Sequence, residues 1–237
     1  MISATEFGRS HTSTWKILAP TMDLFVKRMN AFGLERKFPP LQSTTVSHRV
    51  AFVNEIGFEL FRGAAEAGFT RSPRQVDFDA SVKAARTLIS RMRGVVQEDV
   101  ADPTEEELDD SANQANRLER FFRAVSSGNS IEVSPVFAGC GIIDECVGDV
   151  YFSNTLYEVK AGARLFRSID VRQLLTYAAL NKAATGRSLT EIGLFNPRSG
   201  VAFTAPLEEI CVEVAGLKAD ELLGEIIRVI SSGDTSR

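Results

Sequence analysis

The sequence predicts an α/β (α+β) protein: a mixed central sheet flanked by helices, preceded by a mainly helical N-terminal extension. Three observations carry that reading. Apolar residues at helical spacing recur in residues 79–92 and again up to Val125. From Ile131 the pattern turns to short strand-like runs broken by glycines. Those runs are then interleaved with a helical segment and followed by two more, the order of a sheet layered with helices.

The chain has 237 residues, 44% of them hydrophobic and 24% charged, an ordinary composition for a soluble globular protein with a real core. No apolar run reaches the roughly 20 residues that span a bilayer. Thr5, Glu6, Arg9 and His11 interrupt any signal-like apolar start, so the expectation is a cytoplasmic protein with no membrane partner. Cys140, Cys146 and Cys211 are too few for a disulfide framework, and with only His11 and His48 beside them they are expected in the core rather than on zinc.

Residues 1–45 read as an irregular start, one helix over 22–32 and a loop at Pro39-Pro40. The run from Val50 to Phe61 is dense in apolar residues and fits neither period cleanly, so helix and strand both stay open. In the helix over 79–92, Val82, Ala85, Leu88, Ile89 and Met92 form the stripe, and Gly94 closes it. The acidic stretch from Glu98 to Asp110 reads as a linker or exposed loop. A helix beginning at Thr104 or Asp110 follows, with Leu118, Phe121, Phe122 and Val125 on its apolar face. Residues 1–97 are thus separated as a helical region suited to partner or DNA recognition, and residues 98–237 as the core unit.

In that unit a first strand is expected around Ile131 to Phe137, then strands at 149–152 and 156–160. A helix over 168–182 with Ser168 as its cap comes next. Strands at 192–195 and 201–205 flank a turn at Asn196-Pro197-Arg198-Ser199-Gly200, and helices at 207–214 and 219–230 complete the chain.

The chemistry lies in Gly148-Asp149 through Glu158-Val159-Lys160. With Ser153-Asn154 as a two-residue turn, Phe152 pairs with Thr155, and counting back sets Asp149 opposite Glu158. Directly opposed residues have Cβ atoms about 4.5–5.5 Å apart. Lys160, two residues beyond Glu158, shares that face. Two opposed carboxylates destabilise a ladder unless a cation sits between them, and Mg²⁺ is commonly held by one or two carboxylates with water and phosphate completing its shell. The expectation is Mg²⁺ or Mn²⁺ on Asp149 and Glu158. Lys160 would orient or deprotonate water, or stabilise the transition state. On the next helix Gln173 and Tyr177 are i,i+4 and share a stripe.

The pattern Asp149…Glu158-Val159-Lys160…Gln173-x-x-x-Tyr177 resembles the PD-(D/E)XK nuclease superfamily, with its restriction-endonuclease-like fold, and within it the RecB-like branch that carries a Gln-x-x-x-Tyr element. The likeness covers about residues 131–195 and the helix before them. It implies Asp149 and Glu158 as metal ligands, Lys160 as the catalytic lysine, and Gln173 and Tyr177 as site residues. Gly148 stands where many members have proline. Asp144 and Glu145 are alternative acids, and the hairpin register favours Asp149 over them. Many members also place an acid on a helix before the sheet. Asp110, Glu119 and the polar Gln114 are the candidates here.

The formal net charge is −4, which argues mildly against a polyanion partner. The stretch from Arg164 to Arg198, however, carries six basic residues against two acids, a local positive field beside the site. Arg164, Arg167 and Arg172 are the expected nucleic-acid contacts. These readings converge on a Mg²⁺-dependent deoxyribonuclease, of the kind that serves as effector of an antiphage defence or restriction system. The competing class is a non-catalytic nucleic-acid-binding or assembly subunit. A partner protein of a defence operon and self-association into a homo-oligomer both stay open.

Overall fold

Ser153 and Asn154 adopt positive φ values of 45° and 66°, so the chain reverses in a two-residue turn whose twist matches an antiparallel hairpin. That reversal sets the register around which the rest is assembled. The computed structural model describes residues 1–42, 45–91 and 96–233. In chain order its elements are α1 (Ala4–Ser10), α2 (Thr12–Leu18), α3 (Met22–Arg28), β1 (Glu35–Arg36), α4 (Val50–Glu66), α5 (Phe78–Ile89) and α6 (Glu105–Ser126). Then come β2 (Glu132–Val133), β3 (Val136–Phe137), β4 (Cys146–Val147), β5 (Val150–Phe152), β6 (Thr155–Val159) and α7 (Ser168–Ala183). The chain continues through β7 (Glu191–Asn196), β8 (Val201–Pro206), α8 (Leu207–Ala215) and α9 (Ala219–Ser232).

Six strands form one mixed sheet in the order β1-β8-β7-β6-β5-β2, antiparallel throughout except for the β6–β7 pair. Parallel neighbours need a long crossover, and α7 supplies it. β3 and β4 pair separately as a small ribbon. Alternation along β6 sends Leu156 to one face and Tyr157 and Val159 to the other. The first face is covered by α1, α2, α3, α7, α8 and α9, with Phe7, Trp15 and Leu175 in its apolar cluster. The second is covered by α4, α5 and α6, whose Phe61, Phe121 and Phe122 meet Tyr157 and Phe195. Phe121 stacks on Phe195 with ring centres 4.0 Å apart. Helices on both faces of a mixed sheet are the expected α/β (α+β) architecture. Both clusters, and the sheet through β1, draw residues from either side of position 97.

Close backbone approach is built in at two glycines. A Cβ at Gly57 on α4 would lie 2.9 Å from the Ser111 carbonyl oxygen on α6, and one at Gly193 on β7 would lie 2.2 Å from the ring of Tyr157. Both contacts need the missing side chain.

Several elements differ from expectation. The start is not irregular: α1 and α2 are short helices, α1 capped by Ser3 through Glu6 N–H and docked on α7. Seven residues are too few to show a period. The ambiguous apolar run is helix α4, with Phe52, Ile56, Leu60 and Ala64 buried along one stripe. On α5, Ser81, Ala85 and Ile89 face inward while Leu88 is exposed; Met92 and Gly94 lie outside the described residues. The single strand expected before Gly139 is two, β2 and β3, because Ser134 at φ 60° turns the chain out of one sheet into the other. Arg167 rather than Ser168 occupies the cap of α7, and Asp170 accepts its backbone N–H. The cysteines are free, as expected, with Cys146 and Cys211 buried. No helix among the described residues is long and apolar enough to cross a membrane.

The acidic stretch is not simply an exposed linker. Thr104 caps α6 in a reciprocal box with Glu107, and Glu107 is buried against Arg49 through two hydrogen bonds of 2.7 Å. Arg49 also donates to the carbonyls of Glu98 and Ala101, closing the loop onto α4. Hydrogen bonding to Arg49 holds the Glu107 carboxyl below the ordinary glutamate range. Glu107→Gln should cost about 3–5 kcal/mol at neutral pH, since it strands a buried cation. A depressed carboxylate stabilises fully above the unfolded value of about 4.3 and loses that stabilisation as pH falls through its folded value. Urea unfolding at pH 7 and pH 3 should therefore show the gap between wild type and variant closing in acid; a gap constant with pH contradicts the assignment.

Candidate active site

The hairpin register carries the acids together. Val150 pairs with Tyr157, Tyr151 with Leu156 and Phe152 with Thr155, the register expected from the turn. The ladder stops at Val150. Asp149, one residue earlier, accepts the backbone N–H of Val159 on its Oδ2 at 2.6 Å. Glu158 and Lys160 project to the α7 side of the sheet. Lys160 Nζ donates to Glu158 Oε1 at 2.7 Å and to Gln173 Oε1 at 2.9 Å. Gln173 Nε2 donates to Glu158 Oε1 and to the Tyr177 hydroxyl oxygen, each at 2.8 Å, and Tyr177 donates to the Val147 carbonyl at 3.0 Å. Five expected site residues thus meet at one end of β6. Phe137 stacks on the Tyr177 ring and fixes its plane.

The electrostatics are those of charges withheld from water. Burial, then the neighbouring Glu158, pushes Asp149 well above the usual carboxylate range, against the opposing pull of Lys160 and the Val159 N–H. Burial also raises Glu158, with Lys160 and Gln173 acting the other way. Burial works against the Lys160 ammonium, but the two carboxylates outweigh it and hold Lys160 above the ordinary lysine value. Burial keeps Tyr177 a neutral hydrogen-bond donor. Glu158 Oε2 is buried and has no hydrogen-bond partner among the described residues.

Asp149 also opens onto a cleft of about 660 Å³ between α4 and the β3–β4 ribbon. Asn54, Glu55, Phe58 and Glu59 line one wall, with Ser134, Val136 and Val147 opposite. Glu55 is the helix acid that faces the site. Burial, then Glu59, pushes its carboxyl up to about 7, with Arg62 acting the other way. The candidates expected for that role go elsewhere. Asp110 is locked to Arg198 by contacts of 3.0–3.2 Å, Glu119 pairs with Arg123, and Gln114 is buried between α6 and α4 with neither amide atom partnered among the described residues. Glu55 was missed because α4 was not fixed as a helix. Its signal is the polar i, i+4, i+7 set Glu55, Glu59 and Arg62 beside an apolar stripe. Asp144 and Glu145, the alternative acids, sit beside Cys146 and do not line the cleft.

The basic residues do not form the expected groove. Arg164 is clamped in two hydrogen bonds, of 2.7 and 2.8 Å, to the buried Asp170. Arg172 is only 8% exposed, lies over the Trp15 ring and donates to the Gly8 carbonyl. Lys182, Arg187 and Arg198 pair with Asp220, Glu132 and Asp110. Arg167 alone of the three expected contacts is well exposed. The run looked basic in part because the counter-ions of Lys182, Arg187 and Arg198 lie elsewhere in the chain.

Among the described residues no group of three or more His, Cys, Asp or Glu is placed to hold a metal ion. The donor set is nonetheless one that suits Mg²⁺ or Mn²⁺: two carboxylates, all-oxygen, with the remaining positions left to water and substrate. The orphaned Glu158 Oε2 and the strained charge of Asp149 are both relieved by a cation. Compared with known proteins, the chain matches no family model and no curated protein.

Removing charge here should change stability in a defined direction. A carboxyl raised by burial favours its protonated form in the fold, so its ionisation at neutral pH costs stability. Asp149→Asn should therefore unfold no lower than wild type in EDTA. Millimolar Mn²⁺ should stabilise the wild type, by as much as about 2.7 kcal/mol at a hundredfold excess over Kd, and so raise its melting temperature, while leaving the variant unmoved. Equal metal stabilisation of both proteins removes Asp149 from the ligand set.

Proposed function

We propose that the chain is a Mg²⁺- or Mn²⁺-dependent nuclease that hydrolyses phosphodiester bonds of DNA, in keeping with its resemblance to the PD-(D/E)XK superfamily. The observation that supports this best is the meeting of Asp149, Glu158, Lys160 and Gln173 at one strand end, with one buried carboxylate oxygen unpartnered. Two desolvated carboxylates around one lysine beside a cleft are costly for stability, and such clusters concentrate at functional sites, where a cation and a polyanionic substrate would offset the charge.

Asp149 and Glu158 would hold the ion, which when bound makes water a better nucleophile and offsets charge on the phosphoryl oxygens. Lys160, an ammonium with donors already directed at this point, would stabilise negative charge developing on the phosphate. Gln173 keeps Lys160 and Glu158 at a fixed separation by bonding to both. Tyr177 positions Gln173 and is itself tied to the backbone of β4. Gln173 and Tyr177 are therefore positioning residues, and Glu55 is placed to take part from the opposite wall. Arg167 fits the outer flank of the site better than Arg164 or Arg172 do.

The test is cleavage of short single-stranded and duplex DNA and of RNA with Mg²⁺, Mn²⁺ or EDTA. Cleavage should need the metal. Lys160→Ala should lower the single-turnover rate by about 10²-fold or more while leaving metal-induced thermal stabilisation in place, because its role is in the chemical step. Robust cutting in EDTA, or a Lys160→Ala protein that cuts at the wild-type rate, would falsify the assignment.

A further inference from the structure

The cleft at Asp149 does not end at its own walls. A second groove of about 470 Å³ runs along the outer surface between α4 and α5, and the two share Glu59, Arg62 and Leu88. They adjoin at those shared walls, between the surface of α5 and the cleft at Asp149. The inner mouth is apolar: Leu88, Val136 and Val147 are 44%, 50% and 52% exposed, and all three line the cleft. Large side chains of this kind converging on one opening mark a binding surface more than an accident of composition. Phe58 lies deeper on the same wall.

The outer groove is cationic. Lys83 and Thr87 are i, i+4 on α5 and Arg91 lies two residues past its end, and all three line the groove beside the apolar Ala80, Ala84 and Leu88. Lys83 and Arg91 are exposed, and neither forms an ion pair with a described residue. That separates them from the basic residues of 164–198, which are mostly spent on internal acids. Arg62, between the two grooves, neutralises Glu59. Glu55 is the acid left at the inner end.

We infer that a single strand of nucleic acid enters along α5, its phosphates on Lys83 and Arg91 and its bases on the apolar floor that leads to Asp149. This rests on the nuclease reading and names its substrate class. The chemistry favours one strand over two. A single strand offers a charged edge and free apolar faces, the pair of features these adjoining grooves combine. A duplex keeps its base faces stacked inside and presents phosphate, sugar and base edges, so it offers no free apolar face to cover Leu88, Val136 and Val147. The inner cleft is also of the size that encloses small organic groups, about 300–1,000 Å³, rather than a helix 20 Å across.

The experiment uses the full chain with Asp149→Asn to prevent cutting, and a fluorescein-labelled oligodeoxynucleotide of mixed sequence, single-stranded or as a blunt duplex. Anisotropy is read at several salt concentrations. The single strand should bind about tenfold or more tighter than the duplex. Adding Lys83→Glu and Arg91→Glu should weaken single-strand binding by a similar factor and lower the salt slope by about 1.4, two contacts at about 0.7 each. Leu88→Asp should weaken binding of the single strand, and Glu substituted at Arg28, a distant exposed position, should not. Equal affinity for duplex and single strand, or unchanged affinity in the double variant with its circular dichroism intact, overturns the route whatever the cleavage result. So does an α5 face that binds polyglutamate in preference to DNA, which would make it a protein-docking surface. The two readings fail separately: wild type that cuts nothing with Mg²⁺ or Mn²⁺ while showing the binding pattern above sinks the nuclease chemistry and keeps the entry surface.

Discussion

The centre of the molecule is organised by one requirement, that the Glu158 carboxylate be held out of water at the end of β6. A carboxylate so placed needs partners, and the fold supplies Lys160 from its own strand and Gln173 from the helix packed behind it. Gln173 can reach because α7 runs directly against that face of the sheet. α7 in turn can lie there because every position from Asp170 to Asn181 is buried, under α1 and α3 on one side and α9 on another. A helix apolar or satisfied all round must be enclosed. The N-terminal helices are what enclose it, which ties the start of the chain to the geometry of the site.

The sheet divides the site into two roles. Glu158, Lys160, Gln173 and Tyr177 lie on the α7 side and are mutually hydrogen-bonded, a rigid assembly with little freedom to rearrange. Asp149 sits at the end of the ladder and is the one member that also faces the α4 cleft. Such an arrangement separates the part that fixes charge from the part that admits substrate. It also explains why Asp149 is anchored by a backbone N–H rather than by a side chain: the Val159 amide holds it at the boundary without filling the cleft. The ribbon β3–β4, tethered through Tyr177 to the Val147 carbonyl, forms the opposite wall, so the same tyrosine that positions Gln173 also positions one side of the opening.

The parts of the fold that could be read from sequence were those fixed by local rules. The turn at Ser153-Asn154 determines a register, and the register brings Asp149 to β6. The i,i+4 pair Gln173 and Tyr177 needs only a helix to share a face. The strands β7 and β8 and the helices α8 and α9 have apolar periods long enough to show. What was not legible depends on distant partners. β1 is two residues long and becomes a strand only because β8 is beside it. β3 and β4 are apart in sequence and too short to alternate. Glu55 is ordinary on its own helix and becomes notable only where α4 meets the β3–β4 ribbon. Ser134, at positive φ, splits what looked like one strand, and serine carries no strong local signal for that turn.

Charge shows the same limit most sharply. Six basic residues over residues 164–198 suggested a positive surface, yet Arg198 is held by Asp110 from α6, Arg187 by Glu132 from β2 and Lys182 by Asp220 from α9. Meanwhile the acidic stretch that runs into α6 contributes Glu107 and Asp110 to buried pairs and so adds less negative field than its composition implies. Pairing within the fold cancels a charge at distances beyond a few ångströms, because a close ion pair presents only a dipole to a ligand approaching through salty water. The surface that can attract a polyanion is then set by the cations left over. At α5 those are Lys83 on the helix and Arg91 just past its end, on an element that is also more basic in sequence than α4 or α6. The field at a site therefore has to be counted after internal pairs are removed, and it is the residual charges beside an apolar opening, rather than the density of arginines near the catalytic strand, that say where a substrate would approach.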